Sequence, residues 1–308
     1  MVRIVLIDGT PLHVRSEGRG PVCVLSGGLG CSWFDWDAVV ALLAPHRTVV
    51  RFDRPGYGLS APARLVPTAV REAERIRKVL DSLGLTGRCT VAGHSLAGFH
   101  AEAFARLHPD RTAGLVLLDG SVEPGTRPRP VPGLRDLTAR TLAASATALA
   151  VPYLCGPAGR RLVARASTVR RDDPAPVELV RRCYRPGRAL RAVLRENTSY
   201  RDVGAPAAPG GRRPPAPPGA GPAEGGDPRR GKRPPPELRR DAPLPRVPVT
   251  VLAADDGRDS RRTRRWLEAQ RGLAELLGAE YRTVAPAGHL LMFDRPDAVA
   301  EAILGTTG

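Results

Sequence analysis

Val91-Ala92-Gly93-His94-Ser95-Leu96-Ala97-Gly98 is the stretch on which the reading of this chain turns. A short apolar run, Cys89–Ala92, leads into it, and apolar positions at helical spacing continue from Leu96 to Leu107. A serine therefore stands at a sharp turn between a buried strand and a helix. A hydroxyl presented there can meet both a base and an acyl carbon. The helix N-terminus behind it offers backbone N–H groups to a developing oxyanion. A glycine turn after a strand is common and needs no chemistry; the strand–turn–helix setting is what raises Ser95 above that plainer reading.

Outward from this turn, strand-like runs alternate with helical patterns. Arg3–Ile7 and Leu12–Val14 predict a hairpin around Asp8-Gly9-Thr10, followed by strands at Val22–Leu25 and Thr48–Phe52. Apolar positions at Val70, Ile76, Val79, Leu80 and Leu83 predict an amphipathic helix ended by Gly84. Leu115–Leu118 closes the first block. The alternation resumes with strands at Val249–Leu252 and Tyr281–Val284 and helices over 261–277 and 296–304. Such alternation predicts an α/β fold, a mostly parallel central sheet with helices on both faces.

The elbow around Ser95 resembles the nucleophile elbow of the α/β-hydrolase family, with Ala97 in place of the second glycine of G-x-S-x-G. Two further segments are similar to family motifs and fall in the right order. Ser26-Gly27-Gly28-Leu29-Gly30 stands where the family carries H-G-x-x-G, and Asp53-Arg54-Pro55-Gly56-Tyr57-Gly58-Leu59-Ser60 matches its D-x-x-G-x-G-x-S loop. Near the end, Pro286-Ala287-Gly288-His289 resembles the terminal G-H loop. The resemblance spans roughly residues 1–121 and 246–305. It implies Ser95 as nucleophile, His289 as general base, and the N–H groups of Gly28 and Leu96 as an oxyanion hole. The other five histidines read as surface or satisfied core residues.

The acid that orients the base is expected after the strand preceding the histidine. Ala253-Ala254-Asp255-Asp256-Gly257-Arg258-Asp259 holds three candidates there. Family spacing falls on Gly257, so the loop is off register by about a residue. Asp256 is favoured, with Asp255 and Asp259 open, as is Asp119 after the earlier strand. The reaction implied is acyl transfer to Ser95 from a small carboxylic ester, with no cofactor and no metal. Lactones, thioesters or C–C bonds would use the same parts. Serine at the elbow argues against haloalkane or epoxide chemistry, for which related proteins place an aspartate there. A non-catalytic binding protein of the same fold is the alternative.

Four segments are expected: residues 1–121 and 248–308 as the two parts of the core, 122–203 as an inserted helical cap, and 204–247 as a disordered linker. The cap region reads as helices interrupted by Pro152, Pro157, Pro174 and Pro186. The linker region is rich in Pro and Gly and holds no aromatic residue, a composition that cannot offset its ordering entropy. It reads equally as the text of a reading-frame slip in a GC-rich gene. The formal charge of +16 is concentrated in these two middle segments. Their arginines lack the interleaved aromatics that stack on bases, so a solvated surface is favoured over a nucleic-acid or anionic-lipid site. Five scattered cysteines form neither a disulfide framework nor a zinc-ligand spacing. No apolar run spans a bilayer and the N-terminus has no signal-peptide layout, so a cytoplasmic location is expected.

Overall fold

Eight strands form one sheet: β1 (Val2–Ile7), β2 (Thr10–Glu17), β3 (Val22–Ser26), β4 (Thr48–Phe52), β5 (Cys89–His94), β6 (Thr112–Leu118), β7 (Val249–Ala254) and β8 (Glu280–Val284). The computed structural model describes every residue except 63–64, 123–131, 205–237, 240 and 307–308. The strand order is β1-β2-β4-β3-β5-β6-β7-β8. β1 and β2 pair antiparallel, and β2 joins β4 antiparallel; every other pairing is parallel. The central strands are apolar on both faces because both faces are covered, and β5 and β7 are buried along their whole length.

The covering helices divide between the two faces. α2 (Ala69–Ser82), α3 (Ala97–Leu107) and α8 (Arg261–Leu277) pack their apolar stripes with Val24, Val50, Val91 and Leu115 in one core. α1 (Asp37–Leu43) and α9 (Pro296–Gly305) pack with Leu25, Val49, Ala92 and Val116 in the other. Two helix starts are capped by side chains, Thr68 accepting from Arg71 N–H and Ser260 from Thr263 N–H. All eight strands anticipated from the sequence are present, and the fold is an α/β sheet covered on both sides.

Among the described residues between β6 and β7 lie the helices α4 (Pro132–Ala148), α5 (Val151–Ala166), α6 (Val177–Tyr184) and α7 (Gly187–Gly204). Pro186 separates α6 from α7 and Pro152 falls in the first turn of α5, where a missing N–H costs nothing. Pro157, expected to interrupt, lies inside α5. These helices are tied down by buried side chains. Val180, Cys183 and Tyr184 pack on Trp33 and Phe34, and Arg160 reaches Asp35 at 2.6 Å. Most of the 204–247 segment lies outside the described residues. Its final part is described and packs on the core: Leu238 is buried, Arg239 pairs with Glu102 at 2.7 Å, and Arg106 donates to the Ala242 carbonyl. One ion pair and one hydrogen bond to α3, with one apolar anchor, hold the end of a stretch whose composition reads as linker throughout.

Because β3 to β8 run parallel, their C-terminal ends share one rim. The loops after β3, β5, β6, β7 and β8 all open there, which is the place where parallel α/β sheets present ligand-binding groups.

Candidate active site

The turn after β5 holds Ser95 at φ +52°, a left-handed backbone that a non-glycine residue adopts only when its surroundings enforce it. The enforcement is visible. Ser95 N–H donates to the Leu118 carbonyl at 3.0 Å, and the Ser95 carbonyl accepts from Ser121 N–H at 3.1 Å and Gly98 N–H at 2.9 Å. Gly93 is obligatory, since a Cβ there would lie 2.3 Å from the Ala97 carbonyl oxygen. Ala97 is fully buried in its place, so the turn closes without the family's second glycine.

His289 follows β8 and meets this serine across the rim. Its Nε2 lies 3.0 Å from Ser95 Oγ, and its Nδ1 lies 2.6 Å from Asp119 Oδ2. The Asp119 carboxylate is buried and also accepts from Ala254 N–H at 3.0 Å and Trp266 Nε1–H at 2.6 Å. A carboxylate only accepts, so it holds the proton on Nδ1 and leaves the Nε2 lone pair facing the hydroxyl.

The loop carrying His289 is fixed from several sides. Gly288 N–H donates to Asp294 at 2.8 Å, Leu290 N–H to the Ser167 carbonyl at 3.0 Å, and Ala287 N–H to the Asp255 carbonyl at 2.8 Å. The same Asp294 carboxylate accepts Val169 N–H at 2.9 Å, joining the segment after α5 to the histidine loop. His94 lies beneath, with its ring centroid 4.8 Å from that of His289. Its Nε2 is 2.8 Å from the His289 carbonyl, so Nε2 carries the proton and donates. Burial, and then the neighbouring His289, pushes the His94 pKa down to about 3, so this histidine stays neutral and acts as a fixed donor.

Asp256, the acid favoured from spacing, is not in this constellation. Its Oδ1 accepts from Arg258 N–H and Thr263 Oγ–H, both at 3.1 Å, at the entry to α8. Asp255 turns its side chain to Gly257 N–H at 2.9 Å, and Asp259 is exposed, 3.5 Å from Arg264. The physical reason is local: Asp255 and Asp256 each find a backbone N–H two residues on in their own turn, and Asp259 faces solvent beside Arg264. Asp119, one of the alternatives, finds its donors across the rim instead.

Gly28 and Leu96 do flank the serine. A Cβ on Gly28 would lie 2.9 Å from Ser95 Cβ and 2.8 Å from His94 Nδ1, so only glycine lets the loop after β3 approach this closely. Among the described residues, no backbone carbonyl takes the N–H of Leu96, while the Gly28 N–H lies toward the Cys31 thiol. The Gly27–Gly28 loop is held by the Arg54 guanidinium, which donates to the carbonyls of Gly27 and, at 2.8 Å, Gly28. Glu196 of α7 pairs with Arg54 at 2.8 and 2.9 Å and accepts Tyr57 O–H at 2.8 Å. Burial opposes the Arg54 charge, and Glu196 more than offsets it, leaving the guanidinium above its ordinary pKa. In the same loop Asp53 gathers Trp33 N–H, Leu59 N–H and His13 Nδ1, a structural hub.

Sequence reasoning missed Trp266 and His94. Trp266 carries no motif, and its contact with Asp119 depends on how α8 lies over β7 and the loop after β6. His94 was readable only as the variable residue of the elbow. Among the described residues, no group of three His, Cys, Asp or Glu side chains forms a possible metal site.

A mostly parallel sheet covered on both faces, with a Ser–His–Asp hydrogen-bonded line on its C-terminal rim, defines an α/β-hydrolase architecture. The sequence model of the Alpha/beta hydrolase family matches residues 23–302, and the chain belongs to that family. It is 36% identical over 126 residues to epoxide hydrolase B of Mycobacterium tuberculosis, a match covering 37% of this chain and 34% of that protein. The chain spans from about a third to under half the length of the curated relatives it matches. Among solved structures it is similar to Cfl2 from Burkholderia cenocepacia, with a TM-score of 0.71 at 20% identity over 100% of this chain and 95% of that one. It is also similar to a thermophilic esterase from Thermogutta terrifontis, with a TM-score of 0.63 at 22% identity over 99% and 96%. At these identities the structural likeness speaks for the fold.

Proposed function

We propose that the protein is a serine hydrolase that transfers the acyl group of a small carboxylic ester to Ser95 and then to water. The observation that carries this reading is the Asp119–His289–Ser95 line, at 2.6 and 3.0 Å. His289 Nε2 takes the hydroxyl proton as Ser95 Oγ bonds the acyl carbon. The N–H groups of Gly28 and Leu96 stabilise the oxyanion, and the imidazolium returns its proton to the departing alcohol. A water then repeats the sequence on the acyl-enzyme, releasing the acid and restoring Ser95. Asp119 holds the imidazole and stabilises its charged form. Lactones, thioesters and other acyl compounds would pass through the same steps. A hydroxyl rather than a carboxylate at position 95 favours acyl transfer over the alkyl-enzyme route to epoxide opening. Helices α4–α7 act as a cap that shapes the acyl and alcohol pockets. The substrate is a small molecule, consistent with a cytoplasmic enzyme that needs neither cofactor nor metal.

A fluorophosphonate probe is expected to label the protein once, with labelling abolished by Ser95→Ala. A panel of aryl esters of increasing acyl length would report the pocket. Ser95→Ala or His289→Ala is expected to lower kcat by roughly 10³-fold or more, with the double variant little worse than either, because nucleophile and base act as one unit. Absence of both labelling and aryl-ester turnover would remove the reading.

A further inference from the structure

Residues 141–159 contain no charged side chain. They form the end of α4 and the start of α5, which meet at a bend of 106°. The inward stripes are buried: Ala139 and Ala143 on α4, and Pro152, Arg160 and Ala164, four or eight residues apart, on α5. The outward face of the bend is apolar and exposed. Leu149 is 74% exposed, Leu154 70% and Tyr153 57%, with Leu142, Val151 and Leu162 beside them in sequence and also exposed. Single exposed leucines are ordinary on a protein surface; a group of this size around one bend marks a contact surface.

The surroundings are basic. Residues 133–198 carry 13 arginines against five acidic residues. Four of those five acids are engaged: Asp136 with Arg195, Asp173 with Arg160, Glu178 with Arg181 and Glu196 with Arg54. Exposed Arg140, Arg165, Arg170 and Arg182 have no acidic partner among the described residues. The Arg185 guanidinium lies 4.7 Å from the Tyr153 ring, which sets positive charge directly against the apolar tip.

We propose that the α4–α5 bend docks the protein on an anionic lipid surface, with its leucines and Tyr153 entering the headgroup–acyl boundary and the arginines facing lipid phosphates. An amphipathic element with apolar residues on one side and arginine on its margin is the composition such interfaces take. Among the described residues no single helix is long and apolar enough to span a bilayer, and the 106° bend suits an element lying in the interface. A second copy of the chain fits less well, since a two-fold contact would bring the same unpaired arginines together. Residues 205–237 fit poorly too. They hold no Leu, Ile, Val, Met or aromatic residue to pack on the leucines, and they are themselves net basic.

The test is sedimentation of the full chain with phosphatidylcholine vesicles, with and without a quarter of phosphatidylglycerol. Tighter binding to the phosphatidylglycerol vesicles by about tenfold or more is expected, weakened by high salt. Leu149→Glu/Leu154→Glu is expected to lose at least tenfold in vesicle binding while keeping its thermal midpoint, and Arg165→Glu/Arg170→Glu to lose the preference for anionic lipid. The proposal is overturned if neither vesicle binds, if both bind equally, or if the leucine variant binds as the parent does. It is also overturned if light scattering shows a dimer that the leucine variant dissolves, which would assign the surface to a second copy.

Discussion

Two acidic loops open on the same rim from neighbouring strands, one after β6 and one after β7, and they do different work. Asp119 takes a left-handed backbone (φ +45°), and its N–H donates to the Leu252 carbonyl at 2.7 Å, which directs the carboxylate along the rim to His289. The β7 loop serves the same histidine through its backbone: the Asp255 carbonyl accepts from Ala287 N–H, and Asp255 N–H donates to the Val284 carbonyl. Its side chains turn back into the loop and to the start of α8. A carboxylate's role thus follows from where the unpaired N–H groups lie, and counting residues after a strand does not reveal that.

The strongest attempt to break this comparison is Asp119→Asn. Asp119 accepts from three N–H groups, whereas an asparagine has one acceptor oxygen and an NH₂ donor. If the oxygen keeps Ala254 and Trp266, the NH₂ faces His289 and drives the proton to Nε2, where it blocks general-base action. A fall of about 10³- to 10⁴-fold in kcat on an aryl ester is expected, with the thermal midpoint little changed. Activity near that of the parent would show that the acid lies elsewhere.

Trp266→Phe sharpens the same contrast at smaller scale. It removes one neutral donor from the Asp119 carboxylate and leaves Ala254 N–H and His289 in place. A hydrogen bond to a charged acceptor is worth about 1.5–3 kcal/mol, so a loss near tenfold in kcat with KM nearly constant is expected. An equal change in KM would mean that the indole contacts substrate rather than steadying the acid.

Much of the fold was legible because it rests on local signals. Each central strand is an apolar run bounded by turn residues, and Gly93, Gly28 and the Asp53 loop are motifs whose spacing is fixed by close backbone contact. The approach of Ser95 to His289, 194 residues apart, was legible because both sit in loops that follow parallel strands. The choice of acid was not, because four carboxylates occupy the same rim and only three-dimensional donors separate them. Trp266 was illegible because the placement of α8 over β7 leaves no sequence mark. The α5–α6 connection was equally silent: its Ser167 carbonyl holds Leu290 N–H through ordinary backbone.

The smallest expected effect falls on the residue that spacing favoured. Asp256 presents one oxygen to both Arg258 N–H and Thr263 Oγ–H, and asparagine keeps an oxygen of the same kind. What Asp256→Asn removes is a negative charge near the start of α8 and a 3.7 Å pairing with an exposed Arg258. Charge at a helix start contributes about 0.3–1 kcal/mol and an exposed pair about as little, so a slight drop in thermal midpoint is expected. Turnover should stay within about twofold of the parent, measured beside Asp119→Asn on the same ester. Should Asp256→Asn be the crippled variant and Asp119→Asn the mild one, the two loops would have exchanged roles, and the hydrogen bond at 2.6 Å would be structural only.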